Sequence, residues 1–125
     1  MTEYKINPFD KFNHDWALVT AGNKDHFNSM TISWGSMGTL WNKSIVTVYI
    51  RPDRYTFSFL KESDTFTVSF YDDNYKKELL MFGRNSGRDM DKVKESGFTP
   101  LILEDGITYQ EAKETFVLKK YIWNK

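Results

Sequence analysis

The sequence predicts a mainly β domain with short α connectors, an antiparallel barrel or sandwich rather than a parallel βαβ sheet. Three observations carry this. Short β-branched and aromatic runs alternate with polar residues, as at residues 28–35 and 65–71. Glycine, asparagine and aspartate separate those runs. Helical spacing is confined to short stretches, near residues 55–59 and 75–82.

Taken in order, Trp16 to Ala21 reads as the first strand, followed by a loop at Gly22-Asn23-Lys24-Asp25. From Asn28 to Gly35 the alternation is strict: Met30, Ile32 and Trp34 fall on one face, and Ser29, Thr31, Ser33 and Gly35 on the other. Gly38 and Trp41-Asn42-Lys43 predict a turn, after which Ser44 to Ile50 is nearly continuous, as in a strand buried on both sides. Pro52-Asp53 opens a short helix with Asp53 as N-cap and with Tyr55 and Phe59 on the inward stripe; Ser63-Asp64 ends it. Thr65 to Tyr71 is the next strand, with Phe66, Val68 and Phe70 on one face. Asp72-Asp73-Asn74 caps a second helix in which Tyr75, Leu79 and Phe82 share a face and Gly83 is the stop. A loop at 85–91 precedes a short helix through Lys94, which Gly97 terminates. Pro100 to Leu103 and Phe116 to Trp123 are the last strand candidates.

The chain has 125 residues, the size of one domain, and is expected to form a single unit over residues 1–125. Hydrophobic residues make up 40% and aromatics 17%, enough to fold around a core. Seventeen basic residues balance seventeen acidic ones, which argues against a polyanion partner such as nucleic acid. With no cysteine there is no disulfide, thiolate metal site or cysteine nucleophile. The N-terminal stretch Met1 to Phe9 has no signal-like apolar core, and no apolar run approaches the ~20 residues of a membrane span, so a soluble, cytoplasmic protein is expected.

Three segments have binding character. Arg51-Pro52-Asp53-Arg54-Tyr55-Thr56 places two guanidiniums and a hydroxyl where a strand ends and a helix begins, a junction suited to phosphate; surface ion pairs with Asp53 or nearby acids are the competing reading. The small hydroxyl face of residues 28–35 suits a planar heterocycle, or simply water. Residues 83–92, Gly83-Arg84-Asn85-Ser86-Gly87-Arg88-Asp89-Met90-Asp91-Lys92, form a polar loop running into a helix start without P-loop or dinucleotide spacing, and a plain connector fits as well. His14 and His26 lack metal-site spacing and read as surface residues. No Gly-x-Ser-x-Gly elbow supports a hydrolase triad. Of the four tryptophans, Trp16, Trp34, Trp41 and Trp123, only Trp34 and Trp41 stay in consideration as ligand contacts.

In order along the chain, residues 16–22, 28–35, 51–56, 66–70 and 83–92 resemble the opening strand, the flavin-contacting strand, the phosphate-side turn, the following strand and the later cofactor loop of the flavin reductase-like, FMN-binding split-barrel family, which includes flavoredoxins and flavin:NAD(P)H oxidoreductases. The similarity spans roughly residues 12 to 112. It implies an antiparallel split β-barrel of FMN-binding type, six-stranded with short helices, usually a homodimer with FMN near the subunit interface. Carried over, Met30, Thr31, Ser33 and Trp34 would line the isoalloxazine and ribityl chain; Arg51, Arg54, Tyr55 and Thr56 would hold the phosphate side; and Ser86, Gly87 and Lys92 would close the pocket.

The resemblance implies electron transfer from a reduced nicotinamide, NADH or NADPH, through FMN to a second acceptor. The cofactor supplies the redox chemistry, so no protein acid–base residue is required. Family members generally continue with further strands beyond the point where this chain stops at Lys125. A non-catalytic FMN-binding or flavin-storage module is therefore the alternative, and a barrel binding another phosphorylated heterocycle, or serving only as an interaction domain, is the third.

Overall fold

The computed structural model describes residues 7–121; Trp123 and the end of the last expected strand lie outside them. The chain opens with a single helical turn, α1 (Pro8–Asp10), started by the Asn7 side chain accepting from the Phe9 amide and by proline at the first helical position. A π-helical stretch, Lys11–Asp15, follows. Lys11 is buried there, ion-paired with Glu114 and lying over the Phe70 ring, which ties the chain entry to the far end of the sheet.

Among the described residues eight strands then form, all paired antiparallel. β1 (Ala17–Asn23) and β2 (His26–Ile32) are a hairpin whose turn is held by the Asn23 carboxamide accepting from the amides of Asp25 and His26. β3 (Gly35–Leu40) and β4 (Lys43–Val48) form a second hairpin, with Trp41 and Asn42 both at positive φ in a two-residue turn. α2 (Tyr55–Glu62), β5 (Thr65–Phe70), a 3₁₀ turn at Asp73–Tyr75 and α3 (Lys76–Arg84) follow. After α4 (Lys92–Ser96) come the hairpin β6 (Pro100–Leu103) and β7 (Gly106–Tyr109), and finally β8 (Glu114–Lys119). The main sheet has the order β2-β1-β5-β8, so β1 and β5 are central and β2 is an edge strand.

Two apolar clusters lie on opposite faces of this sheet. The first gathers Val19, Met30, Ile32, Phe66, Val68 and Phe70 with Phe59 of α2, and is closed by Met37, Val46 and Val48 of the second hairpin and by Phe116 and Leu118 of β8. Six strands therefore surround it, as in a barrel. The second gathers Leu18, Tyr71, Leu79, Phe82, Phe98 and Tyr109 under α3 and β7. Covered on both faces, β1 reads as the uninterrupted run Ala17-Leu18-Val19-Thr20-Ala21.

The structure corrects several sequence expectations. The strand expected over residues 28–35 breaks after Ile32, so Trp34 leaves the apolar face of Met30 and Ile32 and is 72% exposed. Gly38 lies inside β3, not in the turn. The hairpin β3–β4 covers the core with one face only, so β4 is half-buried and Tyr49 is exposed. Arg54, not Asp53, occupies the cap position of α2, and its backbone is extended without a side-chain cap. α3 runs through Gly83 to Arg84, because Gly83 packs against Thr31 of β2 and tertiary contact outweighs its weak helix propensity. Gly97, in the left-handed region at φ +73°, does end α4. β7 was not expected; it is four residues long, and its Ile107 and Tyr109 are buried.

Candidate functional site

A cavity of about 400 Å³ opens where the N-terminal half of β2, the start of α2 and the loop between α3 and α4 converge. Its walls include His26, Asn28, Ser29, Tyr55, Phe82, Gly87, Arg88 and Lys92, with Asp89 and Asp91 on the loop. Segments far apart in sequence are fastened together here. Buried Asn28 donates from Nδ2 to the hydroxyl of buried Thr56 at 2.7 Å. Gly87 presses on the same Asn28: a Cβ there would sit 2.1 Å from its Oδ1 and 2.9 Å from the Tyr55 ring, so only glycine fits this approach. Arg54 donates from Nη2 to the Gly83 carbonyl at 3.0 Å, joining the start of α2 to the last turn of α3.

Lys92 is the most unusual member of the group. Only 4% exposed, its ammonium donates to the carbonyls of Phe82 and Asn85, both at 3.1 Å. An ammonium has three N–H donors, so one is left for an acceptor in the cavity that Lys92 lines. Burial, with the Arg54 guanidinium adding to it, pushes the Lys92 pKa down to about 8. Among the described residues no carboxylate pairs with Lys92, Arg54 or Arg88. Asp91 uses its carboxylate to cap α4, accepting from the Lys94 amide at 3.1 Å. The cavity therefore brings Arg88 and Lys92 together with Asp89 and Asp91, with neither cation ion-paired to a carboxylate among the described residues.

Beneath it runs a buried hydroxyl chain in which Thr20 and Ser29 share a hydrogen bond of 2.7 Å, and Ser29 and Tyr109 one of 2.8 Å. Burial pushes the Tyr109 phenol up to about 12, so it stays neutral.

The expected binding residues do not all meet here. Tyr55, Gly87 and Lys92 line the cavity; Thr56 and Arg54 support its wall. Ser86 shapes the loop, its hydroxyl accepting from the Arg88 amide. Thr31 is spent on the sheet-to-helix contact, its hydroxyl donating to the Leu79 carbonyl. Met30 is buried in the first core cluster and lines neither this cavity nor the groove at Ser33 and Trp34. Arg51 points away: exposed, it faces the Asp53 carboxylate at 3.6 Å, the ion-pair alternative recognised in the sequence. Ser33 and Trp34 line a different, largely apolar groove of about 440 Å³ with Phe9, Phe12, Gly35, Met37 and Tyr49. Asn28 and Arg88, outside the expected set, do line the cavity. Polarity alone did not mark them, because the contacts that matter are with Thr56, Gly87 and Tyr55, distant in sequence.

β2 connects the two depressions. Asn28 and Trp34 are separated by about 20 Å of extended chain, and β2 pairs only with β1, so backbone groups along its outer edge lack a strand partner among the described residues. Such an edge can hydrogen-bond a heterocycle without a dedicated side chain.

Comparison with known proteins agrees with this architecture. The sequence model of the flavin reductase like domain matches residues 9–113. The chain belongs to the flavin reductase like domain family. Solved structures with the same fold include an FMN-binding domain of a flavin reductases-like enzyme from Shewanella baltica, at a TM-score of 0.76 and 18% identity over 90% of this chain and 60% of that one. Flavoredoxin of Desulfovibrio vulgaris gives 0.74 and 24% over 88% and 61%. A flavin reductase structure with a split barrel domain from Shewanella frigidimarina gives 0.71 and 18% over 84% and 54%. The chain thus spans about three fifths of the length of the first two. At these identities the likeness establishes the fold, an antiparallel split barrel with short helices. A search of curated proteins returns no match. Among the described residues of this flavin reductase like domain, no helix is long and apolar enough to cross a membrane, and no three or more His, Asp or Glu residues are grouped to hold a metal.

Proposed function

We propose that this chain binds FMN and works as a flavin reductase-like oxidoreductase, passing electrons from a reduced nicotinamide through the flavin to a second acceptor. The observation that carries the reading is the set of cations Arg54, Arg88 and Lys92 at one end of β2, with a buried ammonium short of one acceptor and, among the described residues, no carboxylate ion-paired to it. That donor set suits a phosphate, whose oxygens accept charge-assisted hydrogen bonds. The edge of β2, without a strand partner among the described residues, suits the ring edge of a flavin, and the groove of Ser33 and Trp34 suits its flat apolar body.

Bound FMN would supply the hydride and electron transfer chemistry. The residues of the chain bind and orient. Lys92 and Arg54 place positive charge at the phosphate end, Asn28 holds Thr56 in register with β2, and Tyr55 and Gly87 close the cavity. Met30, Thr31, Ser33 and Trp34 then offer backbone groups or the groove wall to the ring system, and Ser86 and Thr56 act through the loop and helix they hold. Arg51 stands apart from both depressions and is assigned the weakest share. The exposed Phe9, Trp34 and Tyr49 around the groove support a homodimer closing over it. The working compartment is the cytoplasm, where reduced nicotinamides are supplied.

The test is a visible spectrum of the purified protein and an FMN titration followed by quenching of flavin fluorescence. Saturable binding in the micromolar range or tighter is expected, and a protein indifferent to FMN overturns the reading. NADH or NADPH oxidation above the rate of free FMN separates an oxidoreductase from a module that only stores flavin.

A further inference from the structure

We infer that Lys11 and Glu114 are positioning residues for the groove: their buried ion pair sets where residues 8–13 lie against β3, and with them one wall of the groove. The inference rests on the reading that the groove takes the flavin ring, and deepens it by assigning two residues that line neither depression.

The wall and its anchor are neighbours in the sequence. Pro8, Phe9, Phe12 and Asn13 line the groove together with Trp34 and Tyr49. Lys11, between Phe9 and Phe12, is buried; it is ion-paired with Glu114 of β8, and its ammonium lies 4.7 Å from the centroid of the Phe70 ring. Phe12 is 2% exposed and seated on Gly35 of β3, where a Cβ would come within 2.6 Å of its ring. A shift of Lys11 therefore moves the wall residues beside it.

Two further observations give the pair a positioning role rather than a stabilising one. The second carboxylate oxygen of Glu114, Oε2, is buried without a hydrogen-bond partner among the described residues. Burial also pushes both groups toward their neutral forms, Lys11 down and Glu114 up. A half-satisfied buried ion pair returns little net stability, and well-packed apolar side chains in its place can do as well or better; what it supplies is a preference for one arrangement. The backbone beside it is held away from relaxed geometry. Residues 11–15 wind as a π-helix, and Trp16 ends it at φ +61° and ψ 169°, a region that is essentially glycine's. Asp15, 3.8 Å from the Lys11 ammonium, belongs to the same segment and cannot replace Glu114 as a tether to β8.

The double variant Lys11→Met/Glu114→Leu tests this against wild type and against Lys11→Arg, which keeps the pair. The Tm of the double variant should stay within a few degrees of wild type or rise, while the amides of residues 9–13 exchange with deuterium at least about tenfold faster. Its affinities for FMN and for riboflavin, which lacks the phosphate, should both fall by roughly 3- to 30-fold, with their ratio unchanged because the cavity at Lys92 is untouched. Lys11→Arg should keep wild-type exchange and affinity. Unchanged exchange or unchanged riboflavin affinity in the double variant overturns the inference. So does a double variant that loses Tm in step with binding or fails to fold, since the pair would then be a structural prop only. If wild type binds neither flavin, the flavin reading fails by itself, and the positioning role is decided by exchange alone: faster at residues 9–13 with Tm preserved keeps it, and unchanged exchange sinks it.

Discussion

Asn28 and Thr56 meet through a single 2.7 Å hydrogen bond between two buried side chains, one on the edge strand β2 and the other in the first turn of α2. This contact fixes where α2 begins relative to the strand edge, and Gly87 packs on the Oδ1 end of the same carboxamide. The Asn28→Ala variant leaves the Thr56 hydroxyl buried without its donor, so a loss of about 1–3 kcal/mol is expected in urea unfolding. FMN affinity should fall with it, because the cavity wall loosens.

Gly87→Ala should spare the fold and damage the site. The added methyl would overlap Asn28 Oδ1, so the loop must lift away from β2 and carry Arg88 with it. A change in Tm of a few degrees at most, with FMN binding weakened at least tenfold, is the expected pair of results; calorimetry and fluorescence titration measure them.

Lys92 sets a pH dependence whose sign can be worked out. Its pKa is about 8 folded against an ordinary value of 10.5, so between these values the unfolded chain holds more protons. Stability attributable to Lys92 therefore rises as pH climbs from about 8 to about 10.5. Ligand affinity runs the other way: a phosphate prefers the ammonium, so FMN binding should weaken as pH rises above about 8. The Lys92→Met variant should bind FMN more weakly and lose this alkaline decline. Titrations at several pH values from about 7 to about 9.5 decide the matter.

Tyr109→Phe removes one end of the buried Thr20–Ser29–Tyr109 chain without changing shape. A cost of about 1 kcal/mol is expected in denaturant unfolding. In wild type the folded phenol titrates near 12 against an ordinary 10, so its contribution is complete below pH 10 and disappears as pH rises through 12. The variant should lack that component of the alkaline loss.

Phe82→Ala tests the second core cluster. Phe82 is fully buried against Phe98 and Tyr109, and its carbonyl holds Lys92. A loss of about 3–5 kcal/mol in unfolding free energy is expected, accompanied by weaker FMN binding as the Lys92 anchor shifts.

The sequence by itself determined that strands predominate over short helices, the face of β5 that carries Phe66, Val68 and Phe70, the inward stripe of α3 and the glycine stop of α4. Each depends on neighbours within a few residues, where alternation, helical spacing and backbone preference act directly. It also placed Tyr55, Gly87 and Lys92 in the segments that meet at the cavity. Only the tertiary structure decided that β2 ends at Ile32 and sends Trp34 outward, that Arg51 pairs with Asp53 while Arg54 turns to Gly83, and that Asn28 and Arg88 belong to the site. The reason is the range of the interactions. Whether an arginine meets an aspartate two residues away or a carbonyl 29 residues away depends on how α2 and α3 pack, and a pattern read along the chain does not contain that distance.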